Sequence, residues 1–98
     1  MMDVQPAAVG LSSATEAGIT ASMSASASAA SAALLGATPM GADGDSAQFA
    51  AALNAAGAAY LATAAEHAGQ RSAYSGAQSL AGATYTATDV ITKSAFLT

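Results

Sequence analysis

Residues 36–49, GATPMGADGDSAQF, decide the fold of this 98-residue chain. They interrupt two long alanine-rich runs, 7–35 and 46–95, and alanine is the strongest helix former. Gly36 followed by Pro39 is a helix stop signal. Asp45 reads as the N-cap of the next helix, with Gln48 three residues on completing a capping-box pattern. A short loop between two long helices makes an antiparallel hairpin.

Outward from the turn, Pro6 suits the first helical position, because its missing N–H has no intrahelical acceptor there. The spacing predicts an all-α chain, with one helix over about 6–36, a turn over 37–45 and a second helix over 46–92. A flexible C-terminal tail follows. The alternation SMSASASA (residues 22–29) has a period of two, but serine and alanine are poor strand residues and both flanks read as helix. The hairpin arms would extend roughly 45 Å or more at 1.5 Å per residue.

Composition limits what such a hairpin can bury. Hydrophobic residues make up 53% of the chain, yet most are alanine, with two Phe, three Tyr and no Trp. Alanine contributes little apolar area, so a self-contained core would be thin. Charged residues are only 8%, against roughly a quarter in an ordinary soluble domain. Such a chain reads as one half of a larger packed unit.

Bulky residues nevertheless recur at helical spacing. In the first helix they are Val4, Leu11, Ile19, Met23 and Leu34, with Ala8 and Ala30 between. In the second, Phe49, Leu53, Ala56, Tyr60, Thr63, His67, Gln70 and Tyr74 step by fours and threes, as a heptad seam does. Leu11, Ile19, Met23, Leu34, Phe49, Leu53, Tyr60, His67 and Tyr74 are therefore the predicted partner interface. A second track, Leu61, Ala64 and Ala68, lies beside the seam and could face elsewhere. Gly57, Gly69, Gly76 and Gly82 each cost about 1 kcal/mol against alanine inside a helix. They read either as sites of close helix approach or as a helix that breaks after about residue 75.

Several function classes are excluded. A net charge of −4 with only two basic residues, Arg71 and Lys93, leaves no footprint for nucleic acid or an anionic membrane. Absent cysteine removes disulfides and thiolate metal sites. The N-terminus MMDVQPAAVG has neither a basic region nor an apolar run typical of a cleavable export signal. Residues 17–35 come nearest to a membrane span, and serines interrupt them. His67 is the only histidine and reads as an interface residue, because no catalytic partner is evident. Asp43-Gly44-Asp45 suits helix capping better than calcium, since an EF-hand would need further oxygen ligands and a closing Glu. Thr63, Thr84, Thr86, Thr88 and Thr92 lack the regular spacing of an ice-binding face. A two-helix hairpin offers no pocket for a substrate or cofactor. The chain is read as a non-enzyme without catalytic, cofactor, metal or small-molecule sites.

Near the end, YTATDVITK (residues 85–93) holds Tyr85 and Asp89 one helical turn apart, with Lys93 a turn further on. By itself a solvated Asp–Lys pair on a helix end explains this.

The pattern as a whole resembles the PE family of mycobacterial proteins, substrates of type VII (ESX) secretion. Val4 and Pro6 occupy the opening, and Pro39, Ala42, Asp43 and Ser46 fit the family's turn. Tyr60 matches a mid-helix tyrosine, and Tyr85 with Asp89 match the terminal Tyr-x-x-x-Asp/Glu element. Ala7 departs from the namesake glutamate, and Gly44-Asp45 replaces a usual acidic-Val pair. The chain is also similar to EspC-like ESX secretion-associated proteins through Val4–Pro6, Gln48, Phe49, Leu53, Asn54 and the same terminal pair. Both resemblances imply a helical hairpin secreted or displayed at the cell surface without a cleavable signal peptide. PE membership implies a PPE family protein as heterodimer partner, packed lengthwise into a four-helix bundle. An ESX chaperone would then bind through the PPE subunit, and the ESX secretion ATPase would read Tyr85 and Asp89. EspC-like membership implies self-assembly into homo-oligomers or filaments instead.

Overall fold

A computed structural model of the chain describes residues 3–97. It is an all-α hairpin of two helices in contact with each other, α1 over Pro6–Leu35 and α2 over Gly44–Phe96. α1 opens at Pro6 as its sequence dictates, with the Ala8 and Val9 amides donating to the Gln5 carbonyl at 3.0 and 3.2 Å. Serine and threonine are tolerated along both helices because several return their hydroxyls to the preceding turn. Thr15 donates to the Leu11 carbonyl, Thr20 to that of Glu16 and Thr86 to that of Gly82, a local bond that satisfies the hydroxyl without leaving the helix.

Both sides of the turn differ in mechanism from the sequence reading. No described glycine has positive φ, so α1 does not end on the left-handed glycine cap that Gly36 suggested. Asn54, from α2, holds the departing chain instead. Its Oδ1 accepts the Ala37 amide at 2.8 Å, and its Nδ2 donates to the Ala37 carbonyl at 3.0 Å. The N-cap of α2 is Asp43 rather than Asp45. The Asp43 Oδ1 accepts the Ser46 amide at 2.7 Å, and the Asp43 carbonyl accepts that of Ala47. α2 therefore starts two residues earlier than predicted. Asp45 falls in its first turn, where the helix dipole favours a negative charge without requiring a bond. The backbone amide of Ser46, followed by its hydroxyl, holds the Asp43 carboxyl below the ordinary aspartate value.

α2 is continuous through Gly69, Gly76 and Gly82 to Phe96, so the reading that it breaks after about residue 75 is corrected. The segment expected as a C-terminal tail is helical as well. Intact i to i−4 bonding carries the backbone over each glycine, whose cost is a matter of stability and not of geometry.

The helices do not meet along the bulky seam. The buried and half-buried residues of α2 are Ser46, Ala50, Asn54, Gly57, Leu61, Ala64, Ala68, Arg71, Ser75, Gln78, Ala81 and Gly82. From Ala50 to Gly82, Ala81 apart, they alternate by four and three. On α1 the matching set is Pro6, Val9, Ser13, Glu16, Thr20, Ala27, Ala30, Ser31 and Leu34, with exposed Met23 at the position between Thr20 and Ala27. The true seam is thus the smaller-residue track, displaced by one residue, or about 100° of helix rotation, from the expected one. Smallness explains the choice: alanine, glycine and serine let two helix backbones approach.

Contacts cluster into two units, Met1–Thr20 with Gln70–Thr98, and Ala21–Gly69. In the turn-side unit, α1 lies so close to Gly57 that a Cβ there would collide with the Leu34 carbonyl oxygen. Ala50, 5% exposed, is the one buried hydrophobic side chain among the described residues. In the open-end unit the same heptad positions are polar. The Ser13 hydroxyl donates to the Ser75 carbonyl at 2.7 Å, the Ser75 hydroxyl donates to the Ser13 carbonyl at 2.8 Å, and the two hydroxyls are 3.1 Å apart. One turn along, Arg71 pairs with Glu16 at 2.8 Å. At Gly82, which is buried, an added Cβ would just reach ordinary contact with the Pro6 carbonyl and Val9.

Candidate partner-docking face and terminal motif

Because the seam is built from small residues, the large ones are left outside it. Phe49 is 66% exposed and Tyr60 61%, and Leu53 and Tyr74 are exposed with them. Leu53, Tyr60, His67 and Tyr74 recur at seven-residue intervals along α2, on the flank next to the seam. His67 is exposed like its neighbours. On α1, Leu11, Ile19 and Met23 are exposed, whereas Leu34 is half-buried at the seam. Eight of the nine predicted interface residues are therefore accessible, and Leu34 belongs to the hairpin's own contact.

Two shallow grooves accompany this flank in the turn-side unit. One, of about 420 Å³, runs between Met23, Ser26 and Ala30 of α1 and Tyr60 and Ala64 of α2. The other, of about 410 Å³, lies at the turn between Thr38, Met40, Phe49 and Leu53. Both are mostly apolar in lining, so they accept side chains better than ions or polar metabolites. In the open-end unit, Tyr74 joins a small polar group. Gln78 donates to the Ser12 hydroxyl at 2.9 Å and approaches the Tyr74 hydroxyl at 3.5 Å, while its own Oε1 is buried without a donor.

The accessible surface totals 7010 Å². A compact monomer of 9.3 kDa exposes only about 5,000 Å² on general size scaling. Exposed aromatic and aliphatic side chains, Leu11, Phe49, Leu53, Tyr60 and Tyr74 among them, contribute to that surface. Exposed apolar area of this kind marks an interaction site more often than chance.

Tyr85 and Asp89 lie one turn apart within α2, past the point where Pro6 faces Gly82. Tyr85 is partly covered at 37% exposed, and Asp89 is exposed. Neither forms a side-chain hydrogen bond or ion pair with a described residue. Lys93 does not pair with Asp89, although the two are a turn apart on one face.

Among the described residues no helix is long and apolar enough to cross a membrane, and no group of three His, Asp or Glu side chains is placed to hold a metal. Residues that sequence reasoning missed are the ones that join the helices: Asn54 as the clamp on Ala37, the Ser13–Ser75 pair, and Glu16 with Arg71. Only the last carried a signal, since Arg71 is one of two basic residues in the chain. Comparison with protein-family models, with curated proteins and with solved structures finds no match for this chain.

Proposed function

We propose that this hairpin is an interaction and export module: a type VII (ESX) secretion substrate that heterodimerises with a PPE-type helical partner and carries Tyr85 and Asp89 as its export signal. The observation that carries the reading is the exposed flank of α2. Phe49, Leu53, Tyr60 and Tyr74 are large, apolar or amphipathic, and left free by a seam of small residues. A partner helix laid along this flank would cover them at the spacing that knobs-into-holes packing requires. Aromatic side chains at the centre of such a contact supply most of its energy. The terminal pair supports the second half of the reading, because Tyr85 and Asp89 stand beyond α1 on exposed helix, where a receptor could reach both at once. The PE-like turn and terminal motif supply the partner class and the export machinery. The partner's chaperone and the secretion ATPase complete the scheme. The EspC-like alternative, in which the chain assembles with itself, shares the export signal.

Co-expression tests the partner reading. The chain alone should be unstable, aggregated or self-associated, and co-expression with a PPE protein should give a soluble one-to-one complex. Leu53→Asp or Tyr60→Asp should abolish the complex, because each would bury an unpaired charge. Tyr85→Ala or Asp89→Ala should block export while the complex still forms. A monomer that unfolds cooperatively by itself, or normal export of both terminal variants, would overturn the corresponding half.

A further inference from the structure

Beyond Gly82 the contact face of α2 continues although α1 has ended. The four-three repeat of the seam runs on through Tyr85, Asp89, Thr92 and Phe96, with Val90 beside it. Residues 83–96 amount to about 21 Å of helix at 1.5 Å per residue. Phe96 is 86% exposed, and Val90 and Leu97 are also exposed. A face that is covered by a helix for nearly all its length and then left bare calls for a second helix to continue the cover.

Charge indicates which helix. The chain has six acidic and two basic residues, so most surfaces of one copy repel another. Residues 83–97 are the exception, carrying one charge of each sign, Asp89 and Lys93. Arg71 is already committed to Glu16, and Lys93 forms no ion pair with a described residue. We propose that this segment pairs with the same segment of a second copy, antiparallel, about a two-fold axis through residue 91. Asp89 of each copy then meets Lys93 of the other, since under a two-fold axis every contact occurs twice with the roles exchanged. The same axis sets Thr86 against Phe96 and Tyr85 against Leu97, placing apolar contacts on both sides of the central charges. Parallel pairing would set Asp89 beside Asp89 and Lys93 beside Lys93, like charges in contact. Antiparallel pairing also opposes the two helix dipoles and carries the acidic turns of the two copies away from each other. The inference rests on the α2 face and its charges and does not depend on the export reading.

Sedimentation velocity on the full chain tests it. Wild type should dimerise reversibly, and D89K or K93D alone should weaken association about tenfold or more, because each sets like charges together. The double exchange D89K/K93D should restore it to within about threefold, as a reciprocal pair requires. In this cysteine-free chain, Val90→Cys should give a disulfide-linked dimer under mild oxidation, while Leu80→Cys, equally exposed but outside the segment, should not. A monomeric wild type, including one whose segment is taken up only by a different protein, overturns the proposal. So do association that ignores D89K, failure of the double exchange to rescue, and linkage at Leu80→Cys in preference to Val90→Cys. Export measured with Tyr85→Ala in cells is a separate readout, so failure of either idea leaves the other intact.

Discussion

In the turn-side half of the hairpin, α1 reaches α2 where side chains are missing: Gly57 lies under the Leu34 carbonyl, and Ala50 is enclosed nearby. In the open-end half the equivalent heptad positions hold Ser13, Ser75, Glu16 and Arg71, joined by direct bonds of 2.7 to 3.1 Å. The first half is held by the Asn54 clamp on Ala37 and by a close contact at Gly57 that tolerates no addition. The second is held by matched donors and acceptors, which tolerate removal in pairs better than removal singly. The reciprocal serine bonds tie α1 to α2 at one position within the open-end half.

The comparison can be broken most forcefully at Gly57. Gly57→Val should destabilise the hairpin by about 3 kcal/mol, at the upper end for overpacking a close contact, because the obstacle is backbone and cannot rotate away. A urea titration followed by circular dichroism would measure it. A neutral outcome would mean that α1 does not approach there.

The open half gives a smaller and differently shaped response. Ser13→Ala or Ser75→Ala should each cost about 1–2 kcal/mol, leaving a buried carbonyl without its hydroxyl donor. The double variant should cost less than the sum, by roughly 0.5 kcal/mol or more, as bonded neighbours do. Strict additivity in the cycle would show that the two serines act separately.

Gly69 and Gly76 sharpen the contrast, since one lies in each half and neither would meet an atom within 4 Å if a Cβ were added. Replacing either by alanine should raise stability by up to about 1 kcal/mol in the lone chain. If a partner helix packs on one of them, the same variant should weaken that complex while stabilising the free chain, and titration calorimetry would separate the two effects.

The smallest effect concerns pH. Asp43 has a lowered carboxyl pKa in the folded chain because it accepts from Ser46. Its contribution is therefore complete above the ordinary aspartate value of about 3.9 and fades as the pH falls through the lower folded value. Protection of the Ser46 amide against hydrogen exchange should decline over that acid range, and Asp43→Asn should remove the dependence.

The helix ends were largely legible in the sequence, because Pro6, Gly36 and the Asp-Gly-Asp run each limit the backbone in a known way. Which aspartate caps α2 was not, since Asp43 and Asp45 are equally good N-caps and only the path of the turn separates them. The seam was misplaced by one residue for a physical reason. The large side chains Phe49, Leu53, Tyr60 and Tyr74 carry the visible periodicity, whereas the seam one residue on is mainly glycine, alanine and serine, with Asn54, Leu61, Arg71 and Gln78 interspersed. The smaller track Leu61, Ala64 and Ala68 did stand out beside it, but nothing local marks a small residue as inward-facing. Asn54 shows the same limit, for its role depends on Ala37, which is distant in sequence. The pair Tyr85 and Asp89 became distinctive only through its resemblance to a terminal motif, because any helix end can hold a tyrosine and an aspartate at that spacing.

The pairing of Arg71 with Glu16 has a practical consequence. Trypsin has two cleavage points in this chain, after Arg71 and after Lys93, and they sit in opposite circumstances. In an unpaired copy Lys93 lies on a stretch of helix that α1 does not cover, so its peptide bond should be cut early, and pairing of that stretch should slow the cut. Arg71 is half-buried mid-helix and ion-paired with Glu16, so digestion there must wait until the helix opens around it. A time course of tryptic fragments therefore times that opening directly, with the release of the last few residues as its internal clock.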